Sequence, residues 1–215
     1  MGIITIEKAN NLFWLGRYIE RVYTSTLHYM DIFDDMLDKD PMLYITYCKQ
    51  LDIPDVYLNE AHFMMSYLYD MNNPDSIASN LKRAYDNAIV LREEITTKVL
   101  SYIQMGVNSF ETMNESEAPI LSLQTIIDLI LAFKGAIEEY IDDPVSLDII
   151  KLGGYVERSD LYSRLGYPQD KIDLIKEKLN IVSKNLCNET SLLSEIDLTS
   201  DLPELIYSIN NSFNY

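Results

Sequence analysis

The chain has 215 residues, with 17 Lys and Arg against 34 Asp and Glu, so its formal net charge is −17. Such an acidic chain repels nucleic-acid phosphates and anionic membrane surfaces, whose binding needs clustered Lys and Arg; neither partner is expected. Its 47% hydrophobic and 24% charged residues are the makeup of a folded globular protein rather than a disordered one.

The first segment carries apolar or small residues at steps of three and four: Leu12, Leu15, Ile19, Val22, Thr26, Met30, Phe33 and Leu37. At about 100° per residue they share one face of a helix. Pro41 marks the stop, since the residue before Pro is biased away from helix. A short helix over Met42–Leu51 and another over Asp55–Tyr69 follow. Met71–Ser76 (MNNPDS) is a loop, with Asn73 or Asp75 suited to cap the next helix and Pro74 close to its first turn. One long central helix is expected from Asp75 to Gln104, with Ile77, Leu81, Ala84, Ala88, Leu91, Ile95 and Val99 as its stripe. The polar run Asn108–Pro119 is expected as loop or frayed end. Helix follows over Pro119–Ile141, breaks at Asp142–Pro144, resumes over Val145–Leu165, turns at Gly166–Pro168 and continues over Gln169–Leu186. A last amphipathic piece spans Leu202–Ile209.

No segment alternates apolar and polar residues at period two, and seven Gly and seven Pro leave little punctuation. The expected fold is all-α, an antiparallel helical bundle. Residues 1–190 form one domain and 191–215 a short helical or partly ordered tail. Cys48 and Cys187 lie far apart and match no zinc or redox spacing, so two reduced thiols are expected. The N-terminus has no basic region before an apolar run, and Ile6 stands where myristoylation needs Ser or Thr. The longest apolar stretch, Ile120–Phe133, is cut by Gln124 and Asp128 and is too short to span a bilayer. These features predict a cytoplasmic protein.

Phe13–Arg21 (FWLGRYIER) and Ile150–Arg158 (IKLGGYVER) are an internal repeat at an offset of 137 residues, sharing Leu, Gly, Tyr, Glu and Arg. A glycine inside a helix costs about 1 kcal/mol relative to alanine, and there it marks close approach of another backbone. Gly16 and Gly153 are therefore expected where the two repeat helices cross.

Ala9–Arg21, Asn72–Ile95 and Leu152–Asp160 together resemble, in order, the three motif blocks of the bacterial alpha-E domain family. The resemblance implies an all-helical fold. It also implies an association with a circularly permuted ATP-grasp protein, and often a transglutaminase-like protein, in ATP-dependent peptide or amide-bond formation. It implies no established catalytic activity for the domain and no cofactor. Family-matching positions are Glu20 and Arg21 in the first block and Asn87, Arg92 and Glu93 in the second. Glu157, Arg158, Asp160 and Arg164 match in and beyond the third, and Arg17 joins the candidate binding residues. The chain departs from the family at Gly154, Tyr85 and Ile89, which stand at arginine positions, and after Arg21, where VYTSTL lacks the usual charges.

Glu20 and Arg21 lie on flanks that also carry Phe13, Trp14, Tyr18, Tyr23 and Leu27, so both are expected to be half buried on a central helix. Buried charges must be paired. The cluster of Glu20, Arg21, Arg92, Glu93, Glu157 and Arg158 is thus either an interhelical salt-bridge network or a polar pocket. In the pocket, arginines would fork a carboxylate or phosphate and Glu20 or Glu157 would serve as base. A ferritin-like metal centre is not expected: it needs Glu-x-x-His, whereas His28 follows Ser25 and His62 follows Asn59. Nucleotide-binding and serine-hydrolase motifs are missing as well. Tyr44, Tyr47, Tyr67, Tyr69 and Tyr102 offer either core edge or a surface groove.

Two functions follow. One is a non-catalytic partner or scaffold for an ATP-grasp ligase; the other is an enzyme of the same pathway acting on a peptide or amino-acid derivative. Lack of a standard nucleophile or metal set favours the first. A homodimer stays open.

Overall fold

The structure, a computed structural model, describes residues 4–113, 119–193 and 196–213. Those residues contain helices and no strand: α1 (Ile6–Asp38), α2 (Leu43–Leu51), α3 (Glu60–Tyr69), α4 (Ile77–Val90), α5 (Arg92–Met113), α6 (Pro119–Tyr140), α7 (Pro144–Arg164), α8 (Gln169–Glu189) and α9 (Leu202–Phe213). The all-α expectation holds. Several helices begin where a side chain takes an otherwise orphaned backbone N–H. Thr5 accepts from Lys8, Asn59 from His62, and Asp143 from Ser146 with Pro144 opening α7.

The long central helix is corrected. The chain breaks at Leu91 between α4 and α5, and α5 itself bends at Thr96, whose φ of 67° and ψ of 153° are non-helical. The apolar stripe continues across both, with Leu91, Ile95 and Val99 buried, so periodicity alone could not register the breaks. Ser76, rather than Asn73 or Asp75, caps α4 by accepting from Ser79 N. Helix α5 runs on through Asn108–Met113, where a loop was expected; the remainder of that loop, 114–118, lies outside the described residues.

Helix α1 is the hub. It packs chiefly on α7 and α4 and also touches α2, α6 and α9. The α1–α7 contacts advance together along both chains, from Gly16 beside Ile150 and Gly154 to Glu20 on Arg158. These two helices therefore run in the same direction, which corrects the antiparallel expectation for this pair. The connection through α2–α6 makes that direction attainable. At the crossing, a Cβ on Gly16 would collide with the carbonyl oxygen of Ile150, and one on Gly153 with the carbonyl oxygen of Phe13. The two glycines meet reciprocally, as the repeat implied.

Three of the five tyrosines weighed as a surface groove are core. Tyr44, Tyr47 and Tyr67 are buried, packed with Phe63 and Tyr29. The Tyr47 hydroxyl donates to Ser25 O at 3.0 Å and lies 3.0 Å from the Tyr67 hydroxyl, which satisfies the polar tips. Tyr69 and Tyr102 are partly buried against the same core.

Helix α6 differs from expectation in length. Ile120–Tyr140 is long and apolar enough to cross a membrane by length and composition, with a mean hydropathy of 1.7, because the apolar run resumes after Lys134. In this fold α6 packs on α5 and α1.

Candidate functional site

Beyond the glycine crossing, the Glu-Arg pairs of the two repeats face one another and exchange partners. Arg158 of α7 grips Glu20 of α1 with two parallel bonds, Nε to Oε1 at 2.6 Å and Nη2 to Oε2 at 2.7 Å. In return, Arg21 of α1 donates from Nε to Glu157 Oε1 of α7 at 2.5 Å. The exchange follows from a parallel crossing of two copies of one motif. Each helix presents Glu and Arg at the same height, so each Glu finds the other helix's Arg.

Each carboxylate has a second cation, and here the halves differ. Glu157 Oε2 receives Arg17 Nε at 2.7 Å, and Arg17 Nη2 lies 2.7 Å from the same oxygen. The position in α7 equivalent to Arg17 is Gly154, so Glu20 has no such partner from α7. Lys134 of α6 supplies it instead, donating to Glu20 Oε2 at 2.7 Å, and Thr24 Oγ1 adds a bond to Oε1 at 2.9 Å. The arginine lost at 154 is replaced from another helix.

Neither carboxylate is half exposed. The side chains of Glu157 and Glu20 are 1% and 3% exposed, against 10% for Arg17, 19% for Arg158, 26% for Lys134 and 33% for Arg21. Burial pushes the Glu157 carboxyl upward, but Arg21 and Arg17 outweigh it and hold its pKa below the ordinary glutamate value. It is a fully paired anion and a weak base.

Two polar side chains complete the Glu157 half. Arg17 Nη1 donates to Asn210 Oδ1 of α9 at 2.9 Å, and Arg21 Nη1 reaches Asn80 Oδ1 of α4 at 3.5 Å. Helix α9 is fixed there by Phe213, stacked on Phe13 with ring centroids 4.3 Å apart. The stretch set apart as a tail thus contributes to the cluster. Its signal in the sequence is nil, because Asn210 is an ordinary polar residue on an amphipathic helix. Lys134 had a better one: a lone cation in the most apolar helix must find an anion.

The remaining candidates divide. Asp160 and Arg164 pair within α7 at 2.9 Å, and Arg164 Nη1 donates to Leu51 O at 3.1 Å. Both line a cleft of about 210 Å³ that opens beside Arg17, Arg21 and Glu157. Burial raises the Asp160 carboxyl, with Arg164 opposing. Asn87 is half buried on α4. Arg92 and Glu93 are not in the cluster: they follow the break at Leu91, both are exposed, and Glu93 lines a different cleft with Lys8, Glu94 and Thr96. Their expected place beside the repeat helices is corrected.

The family Alpha-E, described as a predicted alpha-helical domain with a conserved ER motif, matches residues 7–178. The chain belongs to the Alpha-E family. The two ER pairs of this Alpha-E chain, Glu20-Arg21 and Glu157-Arg158, are the ones that exchange partners across the crossing. No curated protein and no solved structure matches the chain.

Proposed function

We propose that this Alpha-E protein is a non-catalytic partner or scaffold for an ATP-grasp ligase in peptide or amide-bond formation. The observation that carries the reading is the closure of the ER cluster: both Glu20 and Glu157 are buried and bridged by two cations each. A general base needs a carboxylate within reach of the proton it abstracts and basic enough to take it. Glu157 is neither. The cluster instead does what a buried ionic network does well, fixing which helices pack and in which register.

The test is co-purification with the ATP-grasp protein encoded nearest to this chain, followed by ATP turnover with and without it. A stable complex with altered turnover supports the partner role, and no complex with unchanged turnover ends it. The alternative, an enzyme of the same pathway, has the cleft beside Arg21 in its favour. Glu20→Gln separates the two. As a scaffold, the variant loses melting temperature and partner binding together; as an enzyme, it stays folded and partner-binding but inactive.

A further inference from the structure

The substitution of Gly154 for the equivalent of Arg17 leaves room on the Glu20 half. A Cβ at Gly154 would meet only Gly16 O, at an ordinary 3.7 Å. Beside it a cleft of about 170 Å³ lies between α1, α6, α7 and α8. Its charged lining is Lys134, Lys151, Arg158 and Lys178 against Glu20 and Glu138. Four of the 17 basic residues converge there on two carboxylates, in a chain whose acids outnumber its bases two to one.

The existing pairs do not consume that surplus. Glu20 holds Arg158 and Lys134, and Glu138 holds Lys151 at 2.9 Å. Lys178 is exposed and makes no ion pair among the described residues. Burial pushes the Lys134 ammonium pKa down; Glu20 opposes the shift and Arg158 adds to it. The rest of the lining is mostly apolar, with Ile19, Phe133, Ile137 and Ile150 beside Tyr155. All these residues sit within helices, where backbone N–H groups are already bonded. A phosphate would meet these cationic side chains but none of the free backbone donors of a helix N-terminus or nest.

We propose that this cleft binds a small carboxylate carrying an apolar substituent, the carboxylate between Lys178 and Lys134 and the substituent on Ile19, Phe133 and Ile137. The volume lies below the roughly 300 Å³ at which drug-sized sites begin, so the ligand is of the size of a single branched amino acid. The site is separate from the docking of a ligase and stands whether or not that partner exists.

The experiment is NMR titration of the full chain with N-acetyl-leucine, with the neutral N-acetyl-leucinamide as control. The acid is expected to bind saturably at millimolar concentration, shifting the Lys134 and Lys178 side-chain signals, and the amide about tenfold more weakly, since that ratio is the scale of one charge-assisted bond. Gly154→Arg places a long side chain in the cleft and should abolish the shift while leaving the melting temperature in place. Gly154→Ala is the folding control, and Lys178→Ala should weaken binding about threefold to tenfold. Should Gly154→Arg fail to fold, Lys178→Ala decides. Equal binding of acid and amide, undiminished binding in Lys178→Ala, or no saturable shift in the unaltered protein would overturn the proposal.

Discussion

The two halves of the ER cluster start from one motif and end differently. Around Glu157 the cations come from a single helix, Arg17 and Arg21 of α1, with Asn80 and Asn210 behind them. Around Glu20 they come from two helices, Arg158 of α7 and Lys134 of α6, and the missing side chain at Gly154 leaves a cleft. The Glu157 half is therefore paired from within one helix beside a cleft of about 210 Å³, and the Glu20 half borrows a cation from α6 beside a cleft of about 170 Å³. A duplicated motif supplies the frame of reciprocal pairs. Asymmetry at a single position decides which helix supplies the second cation of each carboxylate.

The frame itself should be the most fragile point. Gly16→Ala or Gly153→Ala drives a methyl into a backbone carbonyl that cannot rotate away. The expected loss exceeds about 3 kcal/mol, a large part of the roughly 5–15 kcal/mol that holds a domain folded. Gly154→Ala, one residue on, should fall within about 0.5 kcal/mol of the unaltered protein. Denaturant melts of the three variants check both statements; equal losses at 153 and 154 would mean the crossing is not where close approach occurs.

Removing the anions should rank the halves next. Glu157→Gln removes a fully buried anion and leaves Arg17, only 10% exposed, and Arg21 on the same helix without it, and a loss of about 3–5 kcal/mol is expected, the range for breaking a buried pair. Glu20→Gln leaves Arg158 and Lys134, which come from different helices and can move apart, so a smaller loss of about 1–3 kcal/mol is expected. If the ranking reverses under chemical denaturation, the Glu20 half is the tighter one.

The sequence made the crossing legible because its signal is local. A glycine repeated in register within a helix is costly unless another backbone comes close, and the shared Glu and Arg at fixed spacing foretold which charges must pair. The direction of α1 against α7 was not legible, since helical periodicity carries no information on direction. The break at Leu91 was hidden for a related reason: Leu91, Ile95 and Val99 remain on the buried face on both sides of it, so the stripe stays continuous while the backbone does not. Asn80 and Asn210 escaped notice because a polar residue that ends up beside an arginine looks, in sequence, like any solvated one.

Acid should act on the Glu157 half. Its carboxyl has a folded pKa below its ordinary value of 4.5. Its contribution to stability is therefore complete above that value and is lost as pH falls from there through the lower folded pKa. Asp160 runs in the opposite sense, because burial raises its carboxyl and the folded state binds that proton more readily. The expected outcome is a stability that falls below about pH 4.5, with a shallower fall in Glu157→Gln and a steeper one in Asp160→Asn. Melting temperatures across roughly pH 3 to 6, set by the window above, would show identical slopes if the cluster is not what acid attacks.

The smallest effect is the most informative about the asymmetry. Lys134→Met keeps the length and packing of the side chain but removes its charge, and Arg158 still holds Glu20 through two bonds. Because burial already disfavours the Lys134 ammonium, its removal returns a desolvation penalty along with the lost attraction, and a net change within about 1 kcal/mol of zero is expected. Arg17→Met removes a more deeply buried cation that also bonds Asn210 and packs over the Trp14 ring at 4.8 Å. There the loss should reach about 2–3 kcal/mol, since two contacts to Glu157 and an amide bond go with the ring contact, whereas Lys134 gives up one contact to Glu20 and its place 3.8 Å from the Tyr23 ring. Equal losses in the two methionine variants would mean that Lys134 has become as much a part of the frame as the arginine it replaces.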